Sequence, residues 1–206
     1  MSRGLLVVDV QIDFCEGGAL GVEGGNEVAN RIAELLMDRP GLYSHIFASQ
    51  DWHNAPPDDN GGHFALGGAE PDFVTSWPVH CVANTPGSDT HPVLMNVLMD
   101  VVPAGHLTFV RKGQGRPDYS AFQGLVVNDD KPLAWGLADA EVTSLDIVGI
   151  ATDHCVKEST YGAMDARMRE VRVVTDLCAG VDPARSEDAL EELLANGAFL
   201  TESRYL

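Results

Sequence analysis

Leu145-Asp-Ile-Val-Gly-Ile-Ala-Thr-Asp-His-Cys-Val156 carries the decisive pattern of this chain. The apolar run Ile147 to Ile150 reads as a buried strand. It breaks at Ala151-Thr152-Asp153, and a helical pattern follows. Cys155 therefore falls in the first turn of a helix, just past the carboxyl end of a strand. Backbone N–H groups there have no partner within the helix, and the helix dipole favours negative charge. A thiol so placed is expected to have a lowered pKa and to act as a nucleophile, with donors nearby for an oxyanion. The competing reading is a small apolar Cys that packs a helix start.

Outward from this segment, apolar runs alternate with helical patterns. Leu5–Val10, His45–Ser49, Leu107–Arg111, Asp146–Ile150, Val171–Thr175 and Ala198–Glu202 read as strands. They are apolar on consecutive positions, as in a parallel sheet buried on both faces. Asn26–Met37, Pro132–Ala140, Asp153–Met168 and Pro183–Leu194 read as amphipathic helices. Asp182 is the expected N-cap of the last, Pro183 its first residue, and Gly197 lies just past its end. The expected fold is α/β: an open, mainly parallel sheet of about six strands with helices on both faces. Residues 52 to about 91 lack periodicity, far beyond the length of an ordinary connection. Because this stretch carries Trp52, Phe64, Phe73 and Trp77, it is expected to be ordered and packed. With no repeat or linker, residues 1–206 read as one domain.

Composition narrows the function. The net charge of −18 argues against nucleic acids and anionic membranes as partners. Self-association into a homo-oligomer stays open. Cys15, Cys81, Cys155 and Cys178 form no C-x-x-C pair and suit free thiols of a reducing compartment. The first residues do not read as a signal peptide, and no apolar stretch is long enough to span a bilayer, so a cytoplasmic location is expected.

Open α/β sheets bind ligands outside the carboxyl ends of their strands. The first four strands here end in reactive residue types: Asp9; Asp51 and His53; Lys112; and Cys155. Asp9 is either a loop anchor or a general base with a raised pKa. Lys112, one of three lysines with Lys131 and Lys157, either snorkels or stabilises a neighbouring thiolate and carboxylate. Asp51, His53, His63 and His80 offer N and O ligands that suit Zn²⁺, Fe²⁺ or Mn²⁺. Cys81 is an alternative ligand beside His80. His45, His91 and His106 read as surface or hydrogen-bonding residues.

Val8-Asp-Val-Gln-Ile-Asp-Phe-Cys-Glu-Gly-Gly-Ala-Leu20, Asp51-Trp-His53, Trp77-Pro-Val-His-Cys-Val82, Arg111-Lys-Gly113, Asp118-Tyr-Ser-Ala-Phe122 and Gly149-Ile-Ala-Thr-Asp-His-Cys-Val156 resemble, in order, the nicotinamidase/pyrazinamidase branch of the isochorismatase-like cysteine hydrolases. Ile12, where that branch usually has Asn, and the segment Gln114-Gly-Arg-Pro117 depart from the pattern. The resemblance implies a triad of Asp9, Lys112 and Cys155. It implies one divalent metal held by Asp51, His53 and His80, with His63 as a fourth ligand. It also implies a cis peptide at Ile150–Ala151 and an oxyanion held by the N–H groups of Ala151 and Cys155. Phe14 and Trp77 would face the ring of a nicotinamide substrate, with Tyr119 lining the pocket. In such a site the metal anchors the pyridine nitrogen, and the amide is hydrolysed through a Cys155 thioester. The sequence leaves two rivals: hydrolysis of another small amide, such as an N-carbamoyl compound or maleamate, and a non-catalytic metal- or ligand-binding relative.

Overall fold

A computed structural model describes residues 2–206. Seven strands form one sheet: β1 (Arg3–Val8), β2 (His45–Asp51), β3 (Leu107–Lys112), β4 (Leu125–Val126), β5 (Ser144–Ile150), β6 (Glu170–Ala179) and β7 (Phe199–Thr201), in the order β4-β3-β2-β1-β5-β6-β7. All pairs are parallel except β3 with β4. The sheet thus has one strand more than expected. The addition, β4, is a two-residue antiparallel edge too short to show a pattern.

Successive side chains of a strand point to opposite faces. Along β1, Leu5 and Val7 enter one core and Leu6 and Val8 the other. The first core packs α1 (Gly25–Asp38) through Val28, Ile32, Leu35 and Leu36, and α2 (Pro92–Val101) through Leu94, Val97 and Leu98. The second packs α3 (Leu133–Asp139) through Leu133 and Leu137, α4 (Lys157–Asp165) through Ala163, and α5 (Pro183–Ala195) through Leu193. Both faces of the sheet are therefore covered, which is why its strands read as unbroken apolar runs. No span of the described residues forms a helix long and apolar enough to cross a membrane.

Three expectations change. Helix α2 lies just beyond the aperiodic stretch and was not expected: Pro-Val-Leu-Met-Asn-Val-Leu-Met-Asp-Val is apolar on its exposed side too, at Val93 and Met99, which blurs its period. The helix expected over Asp153–Met168 is split into a π-helical turn at Thr152–Val156, where the Val156 N–H reaches the Ala151 carbonyl, followed by α4. Strand β6 runs to Ala179, past the expected Thr175, because its pairing with β5 shifts between Ile147 and Gly149. Gly149 sits at φ 121°, and a Cβ there would lie 2.1 Å from the Val8 carbonyl oxygen. Only glycine allows β5 and β1 to approach this closely one residue before Ile150.

The stretch from residue 52 is ordered. Trp52, Phe64 and Trp77 are buried, but Phe73 is about half exposed at 46%. Asp182 caps α5 by accepting the Arg185 N–H at 2.9 Å, Pro183 opens that helix and Gly197 follows it.

Candidate active site and metal centre

The strands β3, β2, β1 and β5 are consecutive in the sheet, so their carboxyl ends form a continuous edge. Lys112 closes β3 and pairs in register with Asp51, which closes β2. Asp9 follows β1 in the left-handed region, at φ 47°, a conformation that non-glycine residues adopt mainly where surrounding structure enforces it. The peptide after Ile150 is cis, and Cys155 lies in the π-helical turn that follows.

The Lys112 ammonium is at the centre of this arrangement. It is 2.9 Å from Asp9 Oδ2 and 3.5 Å from Cys155 Sγ, and it donates to Asp51 Oδ1 and to the Asp118 carbonyl at 3.3 Å. Asp9, Asp51, Lys112 and Cys155 are all buried. Burial opposes the charge on Lys112, but Asp51 and Asp9 outweigh it and raise the ammonium well above its usual range. Burial pushes the Asp9 carboxyl up, against the pull of Lys112 and with help from Asp51. The sequence expectation for the thiol reverses. Burial raises Cys155 well above an ordinary cysteine, and Lys112 only partly offsets this. Desolvation of the anion outweighs the placement at a helix start. Asp9, whose carboxyl is raised, and Asp51 each offer an oxygen within 4.8 Å of the Cys155 sulfur.

Asp51, His53, His63 and His80 each offer one ligand atom, and these four atoms lie within 4.8 Å of one another. Asp51 Oδ2 is 3.6 Å from His53 Nε2 and 3.9 Å from His80 Nε2. The other ring nitrogens are occupied: His53 Nδ1 pairs with the Gly113 carbonyl at 2.8 Å, and His80 Nδ1 with the Pro78 carbonyl at 2.7 Å. Such bonds fix the tautomer that leaves Nε2 free to ligate. His53 Nε2 and His63 Nδ1 are buried without a hydrogen-bond partner. Burial, with His53 adding to it, pulls His63 down to about 3, and burial pulls His80 down to about 4. Both rings are therefore neutral near pH 7, the ligand form. Burial opposes ionisation of Asp51, but the Lys112 ammonium beside it outweighs burial, so its carboxylate is retained. Orphaned nitrogens, neutral imidazoles and one carboxylate fit a divalent metal. Cys81 is not among the four, and burial raises its thiol.

Over this edge lies a cavity with about 370 Å³ of empty space, its mouth included. Phe14, Trp77 and Tyr119 line it, together with Asp51, His63, His80, Ala151 and Cys155. Its walls also include Leu20, Val22, His154 and Val181, which the sequence reading did not single out. Trp77 Nε1 donates to the Tyr119 hydroxyl at 2.9 Å, and the Trp77 and His154 rings meet edge to face with centroids 5.0 Å apart.

A family model described as the isochorismatase domain matches residues 3–204. The chain belongs to the isochorismatase family. Among its relatives, the nicotinamidase/pyrazinamidase of Mycobacterium tuberculosis is 40% identical over 191 residues, covering 93% of this chain and 94% of that protein. The pyrazinamidase of Pyrococcus horikoshii, solved in complex with zinc, superposes with a TM-score of 0.76 at 30% identity, over 98% of this chain and 99% of that one. The yeast nicotinamidase bound to the inhibitor nicotinaldehyde gives a TM-score of 0.80 at 27% identity, over 97% and 99%. The isochorismatase-family α/β fold expected from the sequence is thus the one observed.

Two supporting residues of this isochorismatase-family site escaped the sequence reading. Ser49 donates to Asp9 Oδ1 at 2.6 Å. Gln11 accepts the Asp51 N–H and donates to the Asp51 carbonyl, each at 2.8 Å. Both are buried, and their partners, 40 positions away in the chain, could not be read from local sequence.

Proposed function

We propose that this chain is a metal-dependent amidohydrolase that converts nicotinamide to nicotinate and ammonia, and acts likewise on pyrazinamide, through a cysteine thioester. One observation carries the reading: the Lys112 ammonium touches Asp9, Asp51 and Cys155 together, beneath an aromatic-walled cavity and beside a four-residue donor set. Similarity to nicotinamidases over nearly the whole chain supports the choice of substrate.

Asp9 takes the thiol proton as Cys155 Sγ attacks the carboxamide carbon, and Lys112 stabilises the sulfur anion. The N–H groups of Ala151 and Cys155 hold the oxyanion. Asp9 returns the proton to nitrogen as the C–N bond breaks, and ammonia leaves. Asp9 then takes a proton from water, which attacks the thioester carbonyl. The C–S bond breaks, Cys155 recovers its proton from Asp9, and the nicotinic acid released gives its own proton to solvent as nicotinate. Phe14 and Trp77 sandwich the ring, and Tyr119 borders it. Asp51, His53, His80 and His63 would hold one zinc, iron or manganese ion, which supplies when bound a Lewis-acid anchor for the ring nitrogen. We assign this activity to a single domain spanning 1–206 and place it in the cytoplasm.

The test is ammonia release from nicotinamide by purified protein, with and without prior metal chelation. Release that stops on chelation and returns with added metal is the expected result. No release from metal-replete protein overturns the nicotinamidase reading and turns attention to other small amides.

A further inference from the structure

His53 and His63 lie on an irregular segment that isolated backbone bridges hold at His53 and beside His63, and between those bridges one side chain gathers the chain. Asn60 is completely buried, at φ 52°. Asn is among the few side chains that tolerate this left-handed region. Its Oδ1 accepts two backbone N–H groups, from Asn54 at 2.8 Å and from Gly115 at 3.0 Å. Its Nδ2 donates to the Asn54 carbonyl at 3.0 Å. Asn54 directly follows His53, and Asn60 precedes His63 by three residues. Gly115 belongs to the loop that leaves Lys112, and Gly113 in the same loop supplies the carbonyl that pairs with His53 Nδ1. Gly113 packs closely on that ring: a Cβ there would lie 2.6 Å from His53 Cε1.

These bonds close a circuit. One side runs from His53 to the Gly113 carbonyl and along the loop to Gly115. The other returns through Asn60 to Asn54, beside His53. The side chain of Asn60 bonds none of the donor atoms and does not line the cavity, yet it fixes the backbone directly after His53 and the approach to His63. Buried outer bonds that hold a metal ligand in place contribute to metal affinity. An amide suits the position: it accepts twice and donates without adding another buried charge beside Asp51 and Asp9.

We infer that Asn60 is a positioning residue for the metal centre, setting metal affinity by clamping the His53 segment to the Gly113–Gly115 loop. The inference rests on Asp51, His53, His63 and His80 being the metal ligands.

The test is titration of the chelator-treated full chain with zinc alone, against a competing chromophoric chelator. Asn60→Gly removes the clamp and tolerates the left-handed backbone. Its zinc affinity should fall about 10- to 100-fold while its circular dichroism spectrum matches the wild type. Wild-type zinc affinity in folded Asn60→Gly overturns the inference. If Asn60→Gly fails to fold, Asn60→Ser, whose hydroxyl is too short to bridge both amides, takes its place with the same expected and overturning results. Failure of the wild type itself to bind zinc would instead remove the metal reading on which the inference rests.

Discussion

The Lys112 ammonium lies 3.5 Å from the Cys155 thiol, although the two residues are 43 positions apart in the chain. It is also the buried counter-charge of Asp9 and Asp51. Replacing it with the neutral, similarly long Met should therefore act twice. Removing one stabilising charge at the reacting group should lower kcat/KM about 100- to 1000-fold. Leaving two buried carboxylates without their cation should destabilise the fold by about 3–5 kcal/mol. Cys155→Ala should abolish turnover with the fold intact. Steady-state rates and thermal unfolding of the two variants check this; residual activity near wild type in Cys155→Ala would remove it as the nucleophile.

His53→Ala should strip the metal. It removes an orphaned buried Nε2 and breaks the bond to the Gly113 carbonyl. Loss of a direct ligand should cost more than the roughly 10- to 100-fold typical of an outer partner. Elemental analysis of the purified variant measures it directly, and a full metal complement would move the centre elsewhere.

Trp77→Phe keeps an aromatic face on the cavity but deletes the Nε1 donor that holds the Tyr119 hydroxyl. One lost neutral hydrogen bond is worth about 1 kcal/mol, so KM for nicotinamide should rise about fivefold. The turnover number should change little, since the substitution leaves Asp9, Lys112 and Cys155 in place. A collapse of kcat at constant KM would show that Trp77 acts on the reaction itself.

Acid should loosen two sets of contacts, those of Asp153 between the Cys155 turn and the start of α5 and those of Asp176 between β6, α1 and the C-terminal segment. Burial opposes ionisation of Asp153, but His154 and the Val181 N–H outweigh it and lower its carboxyl. Burial likewise opposes Asp176, and the Ser203 hydroxyl and N–H, with Arg31, lower it. A carboxyl lowered in the folded state contributes stability that is complete above its unfolded value, about 3.9, and is lost as pH falls through the folded value. Melting temperatures should therefore drop below about pH 4. Asp176→Asn should melt lower at pH 7 but fall less steeply in acid. An unchanged acid slope in that variant would remove Asp176 from the account.

Much of the fold and site was legible in the sequence because both depend on the same pattern. Unbroken apolar runs such as Leu5–Val8 mark strands buried on two faces, and reactive residues just beyond them mark the carboxyl edge. Asp9, Asp51, Lys112 and Cys155 could be gathered in this way without knowing the strand order. Other features had no local signal. Helix α2 is apolar on its exposed face as well, and β4 is two residues long. The sign of the thiol shift depended on how deeply Cys155 is buried, a tertiary quantity that a helix-start motif does not contain. Asn60 looked like one more polar residue in a loop, because its partners Asn54 and Gly115 belong to different segments.

The pairing of Asp51 with Lys112 across β2 and β3 constrains how this protein can change. Neighbouring residues of a strand point to opposite faces, so a one-residue slip would bring forward Arg111, whose guanidinium now lies 3.5 Å from the centre of the Trp52 ring. The cation at the active edge would then be a planar fork rather than a point charge, on a different stem. An insertion or deletion anywhere along β3 would thus be read as an active-site mutation, even at a position far from the cavity. The apolar side chains that hold this ladder in step guard the chemistry as much as the fold, and variation compatible with function should be confined to substitutions that preserve strand length.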